Sequence, residues 1–168
     1  MNSKTPLGIR NNNPLNIRRS KTLWKGEIPP LPIEGATGVF RETTECGFDP
    51  TKGSESPFAT GSAGRGSFCA FQSMEWGLRA AFCLLRTYAN KYRLCCVRDI
   101  IGRWAPPTEN ATNSYIRHVC QLTGFGGNQR LTEKDWPKLV KAMARMECGV
   151  DLEDDIIQKG FQLYRQKG

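Results

Sequence analysis

Apolar residues recur at helical spacing in five stretches of the chain, and polar, glycine- and proline-rich segments separate them. The most regular stretch covers about 74–91, where Trp76, Ala80, Phe82, Cys83, Leu84 and Leu85 make a wide apolar face. A face that broad predicts a helix central to the core. Ser73 precedes it as a candidate N-cap, with Glu75 in the first turn. Val97 to Arg103 predicts a shorter helix, stopped at Trp104-Ala-Pro-Pro107 because proline lacks the amide a helix interior needs. Asn110 or Thr112 can cap a helix over about 112–123, which carries Tyr115, Ile116, Val119, Cys120 and Leu122 and meets Gly124. Thr132-Glu-Lys-Asp135 reads as a capping box ahead of a helix that starts at Trp136, with Pro137 in its opening turn. Beyond Gly149, Asp151 can cap a last amphipathic helix through Tyr164, with Leu152, Ile156 and Phe161 inward.

The remaining segments alternate less clearly. Leu7 to Arg18 holds three consecutive asparagines before Pro14 and reads as turns rather than a helix. Gly38 to Thr44 can form a short strand, and Ser67 to Ser73 a short buried strand or extended edge. Residues 27–66 otherwise read as an irregular insertion: Pro29, Pro30 and Pro32 make an extended lead-in, and Pro50 to Gly66 is almost devoid of apolar residues. The sum is a mainly α (α+β) chain with a minor β or extended element. At 168 residues it has room for a single domain, spanning 1–168, with its own core.

The helix beginning at Trp136 also carries the first candidate for chemistry. At about 100° per residue, Trp136, Val140, Met143 and Glu147 fall on one stripe, while Lys138, Lys141 and Arg145 take the solvated side. Glu147 thus continues an apolar face in the last turn before Gly149. Partial desolvation and the negative end of the helix dipole both raise a carboxyl pKa. A carboxylic acid that stays protonated near neutral pH is what glycosidic cleavage asks of its general acid. The plainer reading is a helix-end glutamate that turns to water or pairs with Arg145.

Charge and cysteine content narrow the field. The net charge is +8, which favours an anionic partner such as an acidic cell-wall polymer. The basic residues are scattered and no nucleic-acid motif accompanies them, so nucleic acid is not an expected partner. No apolar run approaches the roughly 18 residues of a membrane span, and the N-terminus lacks a signal-peptide core. The expectation is a protein made in the cytoplasm that reaches a wall or periplasm by lysis, in a virion, or through a secretion system. Seven cysteines show no C-x-x-C spacing, so neither a zinc site nor a cofactor is expected. Cys69, Cys83 and Cys120 lie on apolar faces and read as reduced core residues.

Several blocks resemble a known family. Gly8-Ile-Arg-Asn-Asn-Asn-Pro-Leu-Asn-Ile-Arg18, Trp24-Lys-Gly26, Phe68-Cys-Ala-Phe-Gln-Ser73 and Trp76-Gly-Leu-Arg-Ala80 look like blocks of small phage virion and lysis-associated proteins. So do Arg103-Trp-Ala-Pro-Pro-Thr-Glu-Asn110 with Tyr115, and Glu147-Cys-Gly149, where that family carries Glu-Asn-Gly. Its members are virion structural proteins or peptidoglycan hydrolases. A second similarity is to lysozyme-like enzymes, including lytic transglycosylases and bacterial glucosaminidases, whose catalytic Glu closes a helix in a Glu-Ser-Gly context. In the glucosaminidases the Asn-rich, Trp-x-Gly and Phe-x-x-Phe/Tyr-Ser blocks follow that Glu, whereas here they precede it. That order implies a circularly permuted lysozyme-like domain, which is feasible where chain ends lie close together.

The resemblance implies Glu147 as catalytic acid, with Asn13, Asn16, Trp24, Gln72, Trp104 and Tyr115 as substrate-binding residues along peptidoglycan glycan strands. Glu45 and Glu109 are candidates for a second carboxylate, with Glu42 and Asp49 nearby in sequence; Glu109 can equally cap the 112–123 helix. A hydrolase needs such a partner, and a lytic transglycosylase does not. An immunity, virion or secretion partner is a further expectation. Two alternatives stay open: a wall-binding or virion structural module without activity, and a Cys/His amidase using His118, the chain's only histidine.

Overall fold

The computed structural model describes residues 5–20, 22–28, 41–42, 68–106 and 111–166. The chain is mainly helical. In order it forms α1 (Leu7–Arg10), β1 (Thr22–Leu23), β2 (Arg41–Glu42), α2 (Met74–Tyr92), α3 (Val97–Trp104), α4 (Thr112–Thr123), a 3-10 turn (Glu133–Asp135), α5 (Trp136–Cys148) and α6 (Asp154–Arg165). The β content among the described residues is small. β1 and β2 pair in parallel, Thr22 opposite Arg41, and two antiparallel bridges join Arg18 to Phe68 and Glu27 to Phe71. The expected strand near 38–44 and the extended 67–73 segment are both present in this reduced form. Apart from Glu27, Ile28 and β2, the 27–66 insertion, with Glu45, Cys46 and Asp49, lies outside the described residues, as do Glu109 and Asn110.

α2 is the central helix. Leu78, Ala81, Phe82, Leu84, Leu85 and Tyr88 are fully buried in it, and α6 packs along its length. Phe82 meets Phe161 edge-on at 5.0 Å and Tyr164 at 5.9 Å, so aromatic rings form the joint between these helices. Gly160 sets how closely they approach, because a Cβ there would lie 2.5 Å from Leu78 Cβ. α5 packs against both α4 and α6, and α3 against α4. One apolar cluster runs through all five longer helices and includes Leu15, Ile17 and Trp24 from the N-terminal segment. No helix among the described residues is long and apolar enough to cross a membrane.

Local details differ from the sequence reading in four places. The Leu7–Arg18 segment opens with one helical turn before the asparagine turns begin. Ser73 occupies the N-cap of α2, but its hydroxyl makes no cap hydrogen bond. Thr112 does not cap α4, since Ala111 holds that position and the Thr112 hydroxyl donates instead to Ala105 O at 2.6 Å. Glu153, not Asp151, precedes α6, and Asp151 lies 3.8 Å from Arg145. At Thr112 a tertiary hydrogen bond takes the hydroxyl that would have capped the helix, and at α6 the cap position lies two residues further along the chain. The capping box is as expected: the Thr132 amide donates to Asp135 Oδ2 at 2.8 Å, and the helix stops at Gly149 with φ 69°.

Gly160→Ala should wedge α6 away from α2, at a cost of about 1–3 kcal/mol for an overpacked joint. A lowered urea midpoint with an unchanged slope is the expected result; an unchanged midpoint would mean the helices separate freely.

Candidate active site

The site is built where the N-terminal segment meets the end of α5. Asn12 and Asn16 adopt left-handed conformations, φ 51° and 52°, which asparagine tolerates better than most residues. Between them Asn13 is fully buried and acts as a clamp. Its Oδ1 accepts from the Ile17 amide at 2.8 Å, and its Nδ2 donates to Ile17 O at 2.8 Å and Cys69 O at 2.9 Å. The loop so formed presents Pro14 and Asn16 to the last turn of α5. Gly8 is packed against the same junction, where an added Cβ would meet Asn16 Oδ1 at 2.9 Å and Cys148 Sγ at 3.1 Å.

On α5, Trp136, Val140 and Met143 are buried, and Glu147 ends their stripe half-buried. Three neutral groups converge on its carboxyl. Asn16 Nδ2 lies 3.3 Å from Oε2 and 3.3 Å from the Glu147 carbonyl. Tyr115 of α4 donates to Oε1 at 3.1 Å, with the Met143 carbonyl 3.5 Å away. Trp104, buried at the end of α3, turns its indole toward the same carboxyl. Next in sequence, Cys148 donates its thiol to Pro14 O at 2.7 Å.

These surroundings shift the proton affinities of the site. Burial pushes the Glu147 pKa above its ordinary value of 4.5, and the hydrogen bonds from Asn16 and Tyr115, with the nearby Trp104 indole, offset only part of that rise. Burial also raises Tyr115 well above the usual phenol range, with Glu147 adding to the effect, so Tyr115 is a hydrogen-bond donor at any working pH. The Cys148 thiol is pushed up to about 11, first by burial and then by the neighbouring Glu147. It is a neutral donor and not a nucleophile. Arg145 does not lock Glu147; its guanidinium lies near Asp151.

Of the residues expected at the site, Asn16, Trp104 and Tyr115 are brought to Glu147. Asn13, Trp24 and Gln72 are not. Asn13 spends its amide on backbone partners, so its role is to shape the loop. Trp24 is 2% exposed and anchors its segment in the core, which leaves no ring face for a sugar. Gln72 is exposed beside Gly26, whose carbonyl takes its amide hydrogen. Glu45, Glu109 and Asp49 lie outside the described residues. Of the amidase pair, His118 is exposed, and its Nδ1 lies 2.8 Å from Ser114 O on its own helix. The six cysteines among the described residues are free.

Two participants were not read from the sequence. Cys148 secures Pro14 although nothing in an isolated helix-end cysteine signals it. Glu27 is a second buried acid: it accepts from the Trp24 amide at 2.9 Å and lies 3.9 Å from Arg19, and burial raises its pKa. It lies between its own segment and the 69–71 stretch, where it bridges to Phe71, and it holds the Trp24–Glu27 turn together. Its spacing of three residues from Trp24 was the available signal.

No family model matches the chain. Over 159 residues it is 36% identical to Protein P5 of Pseudoalteromonas phage PM2, covering 92% of this chain and 79% of that protein. The chain belongs to the Protein P5 family. A phage relative agrees with the phage side of the sequence resemblance, and the relative's name specifies no activity.

The raised Glu147 pKa makes a signed prediction. The folded state binds the Glu147 proton more tightly than the unfolded chain, so this stabilisation is complete below the ordinary carboxyl pKa and is lost as pH rises through the folded value. Glu147→Gln removes that dependence. Its melting temperature relative to wild type should therefore climb from pH 4 towards neutrality, as thermal melts across that range would read; a flat difference would mean the carboxyl is not desolvated.

Proposed function

We propose that this protein cleaves the glycan strands of peptidoglycan, with Glu147 as general acid. The observation that carries the reading is a half-buried carboxyl whose pKa is raised by burial and whose described partners, Asn16, Tyr115 and Trp104, are all neutral. No ion pair involving Glu147 is present among the described residues, so no cation holds it ionised. Such a group can give its proton to the leaving glycosidic oxygen as the C1–O bond breaks. The oxocarbenium ion then takes up water in a muramidase, or the sugar's own hydroxyl in a lytic transglycosylase. A muramidase draws its second carboxylate from Glu45 or Glu109; the transglycosylase route needs none. In this reading Asn16 and Tyr115 orient the carboxyl, and the buried Trp104 indole borders it. The net charge of +8 suits an acidic wall polymer. Delivery to the wall would follow lysis, virion entry or secretion. The lysozyme-like, permuted arrangement is part of the same proposal and is supported by the contact between the Asn16 loop and the end of α5.

A structural reading has its own support, because Asn16 and Cys148 also tie the N-terminal segment to α5. The two readings part at Glu147→Gln. The amide fills nearly the same volume and still hydrogen-bonds, so the fold is retained. Digestion of purified peptidoglycan with mass analysis should show a loss of more than about 10²-fold in released glycan fragments. Anhydro-sugar ends from the wild type would mark a transglycosylase, and reducing ends a hydrolase. Free stem peptides, or a Glu147→Gln protein as active as wild type, would sink the assignment.

Tyr115→Phe tests the tuning of the acid. Its hydroxyl lowers the Glu147 pKa, so its removal should raise that pKa and move the alkaline limb of the kcat/KM profile to higher pH. A limb that stays in place would separate Tyr115 from the acid.

A further inference from the structure

At the opposite end of α5 from Glu147 lies a cavity of about 460 Å³ that the glycan-cleaving reading leaves unused. Eleven residues separate Trp136, on its lining, from Glu147, or roughly 16 Å along the helix. Arg86 and Arg93, from the end of α2, and Arg130, ahead of the 3-10 turn, all line it, with Glu133 as the one carboxylate. Three guanidiniums against one carboxylate leave the lining with a charge of +2.

Arg93, Arg130 and Glu133 stand exposed at the rim of this cavity, while Leu131 and Trp136 are buried at its base, and two further observations concern how the charges are held. Arg86 lies 5.6 Å over the Tyr164 ring, and the Tyr164 hydroxyl donates to Glu133 Oε2 at 3.2 Å, so one aromatic side chain positions both charges. Arg93 sits at the C-cap of α2 in the left-handed conformation, φ 58°. Glycine or asparagine takes that place at lower conformational cost, yet the chain keeps a long cation there, at the cavity edge. No ion pair to Arg93 or Arg130 is present among the described residues.

We propose that this cavity binds a phosphate monoester of a small polyol or sugar. A phosphate monoester carries a charge of about −1.5 to −2 near neutral pH, which matches the lining. A lone carboxylate needs only one bidentate arginine. The volume falls within the roughly 300–1,000 Å³ of small-ligand sites and leaves space beyond the oxyanion, where the Asn90 amide and Glu133 carboxylate can meet hydroxyl groups. A nucleic-acid backbone offers one charge per diester along an extended track, which a compact cavity fits poorly. The site is independent of Glu147 chemistry.

The test is calorimetric titration of the full-length chain with glycerol 3-phosphate, with inorganic phosphate, with phosphatidylglycerol-containing vesicles and with a single-stranded oligonucleotide. Saturable binding of glycerol 3-phosphate is expected, weakened about tenfold or more by Arg130→Gln, as loss of a charge-assisted hydrogen bond implies. Arg93→Asn should weaken it similarly while melting no lower than wild type, because asparagine accepts the left-handed cap. The proposal is overturned if neither phosphate compound binds up to about 10 mM, a range that would still register an affinity tenfold weaker than millimolar. Binding confined to vesicles or to the oligonucleotide also overturns it. So does an Arg93→Asn protein that melts early but holds glycerol 3-phosphate as wild type does, since Arg93 would then serve only the negative end of α2.

Discussion

The buried amide of Asn13 is the contact on which the site depends. With no side-chain exposure, it satisfies the Ile17 amide and the carbonyls of Ile17 and Cys69 at once. An unmade hydrogen bond in that position costs about 1–3 kcal/mol for each orphaned group, so the loop has one strongly preferred shape. That shape lets Leu15 and Ile17 enter the core while Asn16, between them, points out to Glu147. Along Pro14–Ile17 Asn16 alone is half-buried, the others being buried, and the Asn13 amide fixes the turn that places it so.

Around Glu147, desolvation and hydrogen bonding oppose each other, and desolvation wins. Placing neutral donors there instead of a lysine or arginine matters for the chemistry. A cation at hydrogen-bond distance would hold the carboxyl ionised, whereas amide, phenol and indole groups leave it free to carry a proton. Arg145 is only two residues away in sequence, but its helix position turns it to the solvated side and toward Asp151. Cys148 reaches the opposite way, into the junction with Pro14.

α5 connects two regions of different character. Its C-terminal turn ends in a desolvated carboxyl among neutral groups, and its N-terminal end borders a cavity rich in arginine. Between them Leu139, Val140, Met143 and Ala144 are fully buried and hold the helix against α4 and α6. Cys69 and Cys83 are core residues, as their apolar positions suggested, and Cys120 packs against the core from its edge.

The helices were legible because their apolar positions repeat at the period of the structure they form. The 74–92, 97–104, 112–123 and 136–148 elements follow from burial of one face, and Gly124 and Gly149 stop two of them with positive φ. Glu147 was legible for the same reason, as a carboxyl at the end of an apolar stripe. Its partners were not. Asn13, Trp24 and Gln72 carry chemistry as suitable for sugar binding as that of Asn16, Trp104 and Tyr115, and residue type alone does not tell them apart. What separates them is whether a side chain's hydrogen-bonding capacity is already used by the backbone around it or its ring is closed into the core, as for Asn13 and Trp24. The hydrogen bonds from Asn16 and Tyr115 to Glu147 span 131 and 32 residues of chain. Periodicity reports the local face of one helix; contacts across such separations exist only once the packed helices bring the chain back upon itself.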